Sequence, residues 1–365
     1  MPANLGTFNL ASRWSSRALG NIEPGIVSLF RSECLEQPRR LLELFQAYAT
    51  DHEIRRELVR LKECVRLGEP LVWAGMGASY CSAISGANLL SVCGYPSFVV
   101  EASEWLHFAL PTREHIAGPI LITTSGESAE LVELCRGKAG RTKILICNNT
   151  QSTCWSAAQI RFPILAGDEK GNATKTYSNS TALCTILASE LAGRPWQTDA
   201  KKLTDAFAST LGRVFHRRGE IEAFCHGIAT LEVVGRGPAM AGAIMGALCV
   251  REMSAWRASA HSGGAFRHGP FLDVDSTHLA MILALGRTAE LGRRLAKDCL
   301  ARGGKVILVV DRGLAEESER LLAVQIDEVP DGWESLTSVL VPQALALALI
   351  ERLGSKYVRS QTTIQ

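Results

Sequence analysis

The sequence predicts an α/β protein of two tandem units, each a doubly wound parallel sheet with helices on both faces. Short apolar runs alternate with helix-like stretches along most of the chain. The runs are apolar throughout, so neither face of a sheet they form is wettable, and helices must cover both. The chain also repeats itself. Gly75-Met76-Gly77 matches Gly235-Arg236-Gly237, and Gly126-Glu127-Ser128-Ala129-Glu130-Leu131 matches Gly286-Arg287-Thr288-Ala289-Glu290-Leu291, both at a separation of 160 residues. Two separate motifs sharing one offset imply two copies of one fold.

Taken in order, residues 1–45 form an N-terminal extension and residues 46–194 the first domain. Its five strands are expected at Leu71–Ala74, Ser97–Val100, Pro119–Thr123, Lys143–Cys147 and Arg161–Leu165. Residues 195–222, with helical spacing and several charges, are expected as a connecting helix. The second domain, 223–353, carries strands at Leu231–Val234, Leu279–Leu285, Lys305–Val310 and Val324–Val329, with Ala258–His261 as a further candidate. Residues 354–365 are a polar tail.

Composition narrows the function. A chain of 365 residues is too long for one compact core, and 47% hydrophobic with 21% charged residues excludes extensive disorder. Lys and Arg number 39 against 37 Asp and Glu, a net +2, whereas a dedicated nucleic-acid or membrane-surface binder should be clearly basic. The expected partner is a small molecule. The first thirty residues hold no signal-peptide core, and the longest apolar run, Leu336–Ile350, falls short of a bilayer span, so no membrane segment and a cytoplasmic location are expected. Eleven cysteines without any Cys-x-x-Cys spacing suit reduced thiols. Neither they nor the eight histidines show zinc-ligand spacing, and neither a metal nor an organic cofactor is expected.

In an open parallel sheet, ligands bind beyond the carboxyl ends of the strands. There the third strand runs into Thr123-Thr124-Ser125-Gly126-Glu127-Ser128, at the start of an expected helix. Hydroxyls, a glycine and a helix N-terminus together make a phosphate cradle that needs no lysine. A plain Ser/Thr helix cap is the alternative. The Gly77-Ala78-Ser79-Tyr80 loop, ending the first strand, favours a ligand. In the second unit, Met245, Leu248, Cys249 and Glu252 share one helix face, which places a carboxylate on an apolar stripe. If it is buried and unpaired its pKa is raised, as a base working near neutral pH requires; an ion pair with Arg251 or Arg257 is the alternative. For His268 taken alone, a hydrogen bond within its turn is the plain reading.

The combination of Gly77-Ala78-Ser79-Tyr80, Ala102-Ser103-Glu104, Thr123 to Ser128 and Arg267-His268-Gly269-Pro270 resembles the sugar isomerase (SIS) domain superfamily. More closely, it resembles the double-SIS isomerase half of glucosamine-6-phosphate synthase and the stand-alone ketosamine-phosphate deglycases and amino-sugar-phosphate deaminases. Glu36-Gln37-Pro38 resembles the segment that precedes the first domain in that group, and the resemblance runs from about residue 33 to the end of the chain. It implies two tandem SIS domains of flavodoxin-like fold. It also implies that Ser79, Thr123, Thr124, Ser125 and Ser128 hold the phosphate of a sugar phosphate, and that Glu252 and His268 are catalytic. A homodimer follows as well, in which the His-Gly-Pro turn of one chain reaches the site of the other.

Two departures from the synthase pattern stand out. Cys249 occupies the position of a lysine one turn before the glutamate, and the tail, with Lys356 as its last lysine and Ser360-Gln361-Thr362-Thr363 beyond it, lacks the lysine that forms a Schiff base. About 45 residues precede the first unit, so no glutamine-hydrolysing domain is expected within this chain. The expectation is therefore an enzyme that shifts a proton between C1 and C2 of a phosphorylated amino sugar or ketosamine, with release of the amine. A plain aldose-ketose isomerase and a non-catalytic sugar-phosphate sensor are the alternatives.

Overall fold

The computed structural model describes residues 25–65, 68–108, 116, 118–137, 142–313 and 316–353. The tail expected at 354–365 lies outside these residues, as does most of the N-terminal extension. In the first half, helices Ile26–Thr50 (α1) and His52–Cys64 (α2) lead into Leu71–Gly75 (β1), Ala78–Val92 (α3), Ser97–Glu101 (β2) and Ala102–Phe108 (α4). Pro119–Thr123 (β3), Ala129–Arg136 (α5), Ile144–Cys147 (β4), Thr153–Ala157 (α6), Ile160–Pro163 (β5) and Lys175–Leu191 (α7) follow. Two helices, Ala200–His216 (α8) and Arg218–Phe224 (α9), connect to the second half. This comprises Thr230–Gly235 (β6), Ala239–Ser254 (α10), Ala258–Ser262 (β7), Gly263–Arg267 (α11), His278–Ala284 (β8), Ala289–Ala301 (α12), Lys305–Val310 (β9), Leu321–Gln325 (β10), Glu334–Ser338 (α13) and Leu340–Leu353 (α14).

Both sheets are five-stranded and all their pairings are parallel. The first has the order β2-β1-β3-β4-β5; the second, from its opposite edge, reads β7-β6-β8-β9-β10, the same topology with five added to each strand number. The repeat seen in the sequence is thus a repeat of fold, and each unit is a doubly wound, parallel α/β sheet. Ala258–His261 is a full strand, with Val234 paired to His261 across β6 and β7.

Three expectations change. The last strand runs Leu321–Gln325 rather than Val324–Val329; Ile326 makes a last bond to β9, its N–H to the Val310 carbonyl at 2.9 Å, and Val329 is buried beyond the strand. The segment expected as one connecting helix holds two: α8 ends at His216, and Arg217 between the helices pairs forward with Glu220 of α9 at 2.7 Å. Residue 45, taken as the end of the extension, falls inside α1.

The strand side chains alternate between two faces, as their period of two requires. Val72, Ala74, Leu121 and Leu145 point outward to α4, α5 and α6, and Val234, Ala280, Ile282 and Leu308 do the same toward α11 and α12. Trp73, Ile120, Ile122, Val233, Met281 and Ile307 point inward, into one continuous apolar core that also takes in α1, α3, α7, α8, α10 and α14. The two sheets therefore face each other across a shared layer of helices. Within it, Gly242 and Gly246 let α10 lie close to α13 and α14, since a Cβ there would meet Ser338 Oγ at 2.0 Å and Pro342 Cγ at 2.3 Å. The stretch Glu334–Arg352 is apolar enough to cross a bilayer by length and composition, but it is almost wholly buried in this layer.

In α1, Pro38 has no N–H to offer the Cys34 carbonyl four residues back. The Gln37 amide donates to that carbonyl instead, at 3.0 Å, and to Gln343 Oε1 at 3.0 Å. The Glu36-Gln37-Pro38 segment thereby repairs its own helix and ties it to α14. Glu36 pairs with the buried Lys175 at the start of α7, at 2.9 Å.

Candidate active site

The switch point of the first sheet lies between β1 and β3, whose chains depart to opposite sides. Two loops leave the carboxyl ends here. After β1, Gly77 takes φ +53 and opens α3 with no side-chain cap, and Ser79 sits half-buried in its first turn. After β3, the hydroxyl loop is pinned from three sides. Thr123 Oγ1 accepts from the Gly126 N–H at 3.1 Å, the Gly126 carbonyl accepts from Cys154 N–H at 3.1 Å, and Glu127 Oε1 accepts from Thr153 N–H at 2.8 Å. The last bond, received by an exposed carboxylate, holds the Glu127 pKa below its usual value.

Thr123 itself is buried, and its hydroxyl shapes the loop instead of lining it. Thr124 and Ser125 are exposed. Ser128 is the N-cap of α5, yet its hydroxyl makes no capping bond, which removes the plain-cap reading for this residue. A hydroxyl that makes no capping bond at a helix N-terminus, beside the exposed Thr124 and Ser125, suits an anion.

The equivalent loop of the second unit does not. Leu283, Ala284 and Leu285 stand where the first has Thr123, Thr124 and Ser125, Asp311 accepts from the Gly286 N–H at 2.8 Å, and Glu334 crowds Gly286. Burial, joined by the nearby Asp331 and Asp311, raises the Glu334 pKa. Carboxylates at this position disfavour an anion, so only the first of the two repeated loops is suited to phosphate.

Glu252 lies in the last turn of α10, which Ala255 terminates with a left-handed φ of +55. It comes close enough to α3 to act on Cys81, two residues beyond Ser79, whose thiol is pushed up to about 12, chiefly by burial and further by this carboxylate. The second domain thus brings a carboxylate to the N-terminal end of α3 in the first. Glu252 is not the fully buried, unpaired group expected. One side is open to solvent in the single chain, while the protein around the rest still raises its pKa by desolvation. Neither Arg251 nor Arg257 pairs with it among the described residues; its partner is the side-chain amide of Asn172, which donates to Oε2.

Asn172 carried no signal in the sequence reading. It sits in the loop between β5 and α7, held by two acids, the buried Glu33 and the half-buried Glu169, that collect backbone N–H groups. Glu33 accepts from Lys170 and Gly171 at 2.7 and 3.1 Å, and Glu169 from Thr174 and Lys175 at 3.0 and 2.8 Å. An acidic residue just before a helix of small and hydroxyl residues was the available clue.

Cys249, one turn before Glu252, is fully buried and its thiol is raised by burial. His268 closes α11 just beyond edge strand β7, exposed, with no side-chain hydrogen bond or ion pair among the described residues. The turn-bond reading for it therefore finds no support there, and nothing joins it to Glu252 within the described chain. No group of three or more His, Cys, Asp or Glu side chains among the described residues is arranged to hold a metal ion.

Residues 70–190 match the SIS domain. The glutamine–fructose-6-phosphate aminotransferase (isomerizing) of Brucella abortus biovar 1 (strain 9-941) is 26% identical over 343 residues, covering 89% of this chain and 56% of that protein. The chain thus spans about half the length of the curated relatives it matches. The C-terminal domain of the glucosamine-fructose-6-phosphate aminotransferase of Francisella tularensis superposes with a TM-score of 0.80 at 21% identity, covering 90% of this chain and 96% of that one. Tagatose-6-phosphate ketose/aldose isomerase of Escherichia coli gives 0.76 at 17%, with 89% and 93% covered.

Proposed function

We propose, for a chain that carries an SIS domain over residues 70–190 and repeats its fold once, that it is a sugar-phosphate isomerase-type enzyme acting on a phosphorylated amino sugar or ketosamine. The observation that carries this reading is that Glu252 of the second domain, a carboxylate of raised pKa, bonds Asn172 of the first domain and acts on Cys81 in α3, two residues from Ser79.

Ser79, Thr124, Ser125 and Ser128 hold the phosphate, with Thr123 keeping the loop in shape. Glu252 takes a proton from the sugar carbon beside the carbonyl or imine, leaving an enediol or enolamine, and returns it to the neighbouring carbon. In a ketosamine the C1 proton leaves as the C2 carbonyl oxygen is protonated, giving the enolamine; protonation at C2 with loss of the N–H then gives a C1=N imine, to which water adds, and the amine leaves with a proton. His268, delivered by a second copy of the chain, assists ring opening or protonates the departing amine. Desolvation raises the Glu252 pKa toward the working range of a base, and the Asn172 bond keeps the ionised form accessible.

The test is Glu252→Gln, assayed with fructosamine 6-phosphates and glucosamine 6-phosphate in deuterated water. Loss of general-base catalysis should lower turnover by roughly 10²- to 10⁴-fold with substrate binding retained, and wild-type product alone should carry deuterium beside the carbonyl. Near-normal turnover in the mutant would remove Glu252 from the mechanism. A wild type that binds these compounds unchanged is a sensor.

A further inference from the structure

We propose that Asn172 is a positioning residue for Glu252, a neutral amide reaching from the first domain to orient the carboxylate of the second and keep it ionised. The inference rests on the reading of Glu252 as the base. The contact is direct, Asn172 Nδ2–H to Glu252 Oε2, and Asn172 is itself only 2% exposed.

The amide is poorly explained as packing. Its Oδ1 is sealed from solvent and has no partner among the described residues, a cost to stability that an apolar side chain of similar size would avoid. What the amide does supply is an N–H at a carboxylate. The other titratable groups around Glu252 are Cys249 on its own helix and Cys81 on α3, with Cys34 of α1 beyond Cys249. All three thiols are raised by burial and hence uncharged at neutral pH. Glu33 and Glu169, across the loop from Asn172, are occupied by backbone N–H groups. With a cysteine where the synthase pattern has a lysine, the donor that steadies this carboxylate is the uncharged Asn172.

Two substitutions test this, Asn172→Leu, which keeps the volume and removes both polar ends, and Asn172→Ala, which fits whatever space the site leaves. The readout is the carbon-13 titration of the Glu252 carboxyl in the substrate-free, full-length protein, its resonance assigned by its disappearance in Glu252→Gln. One hydrogen bond to a charged group corresponds to about one to two pH units, so both titration midpoints should move upward by that amount. Thermal stability of the leucine variant, measured at a pH low enough to protonate Glu252, should be unchanged or higher, because the orphaned Oδ1 is gone. In an active enzyme the acid limb of kcat should move with the titration while KM stays nearly constant. Unchanged midpoints in both variants would overturn the proposal. Should wild type turn over no sugar phosphate, the functional reading fails while the titration still decides whether Asn172 holds Glu252.

Discussion

Gly126 and Ser152 are in such close contact that a single methyl group would separate them: a Cβ on Gly126 would fall 2.0 Å from Ser152 Oγ and 2.4 Å from its Cβ. Gly126 also has a φ of +69, which L side chains rarely adopt. Ser152 cannot simply swing away, because its hydroxyl accepts from the Trp155 N–H at 3.2 Å and caps α6. Gly126→Ala should therefore destabilise the fold by about 1–3 kcal/mol and displace the hydroxyl loop. Urea denaturation would show the lowered midpoint, and sugar-phosphate affinity should fall with it. A variant as stable as wild type would mean that the loop relaxes freely.

Replacing Ser125 and Ser128 together with alanine should separate binding from folding. Ser125 contributes one exposed bond inside the loop, from the Glu127 N–H at 3.2 Å, and Ser128 makes no cap bond, so the unfolding midpoint should barely move. Hydrogen bonds to a charged group are worth about 1.5–3 kcal/mol each, and calorimetric titration with a sugar phosphate should register a loss on that scale. Equal affinity in the double mutant would put the phosphate elsewhere.

The exposed His268 and the distant origin of Glu252 make a claim about mixing. In a heterodimer of Glu252→Gln and His268→Ala chains, a site shared between subunits leaves one of the two positions intact and the other doubly damaged. An isolated heterodimer should have about half the activity of the wild-type dimer, and an equal co-refolded mixture about a quarter, from two parents that are each nearly inactive. Verified heterodimers without activity would show that each site is built within one chain.

Glu334 predicts a pH dependence of stability. Burial raises its pKa in the folded protein above the ordinary glutamate value, so the unfolded state ionises first as pH rises. Stability is then unaffected by this residue below the ordinary value, declines between the ordinary and the raised values, and is level above. Glu334→Gln should flatten that part of the melting-temperature profile. An unchanged slope would mean that Glu334 ionises alike in both states.

The sequence allowed the fold to be read where apolar runs and repeated glycines left little choice, as at β1, β3, β8 and β9. It misplaced β10 because Ile326 and Val329, buried beyond the strand's end, are as apolar as the strand itself. At the site, Ser128 and Glu252 could be singled out by residue type and helix position. Asn172 could not, since its meaning comes from a contact across 80 residues of chain, and Thr123 was assigned to ligand because nothing in the sequence tells an inward hydroxyl from an outward one.

The layer of helices between the sheets has a consequence for how the molecule comes apart. Trp73 of one sheet and Met281 of the other are both fully buried in the same interior, and Ser85 Oγ bonds Ser335 Oγ across it at 2.9 Å. Two beads on a string would melt separately, whereas halves that share an interior lose it together. Scanning calorimetry should give one endotherm with calorimetric and van't Hoff enthalpies in agreement, and a chain cut at the α8–α9 junction should yield two fragments that precipitate apart and dissolve as a complex.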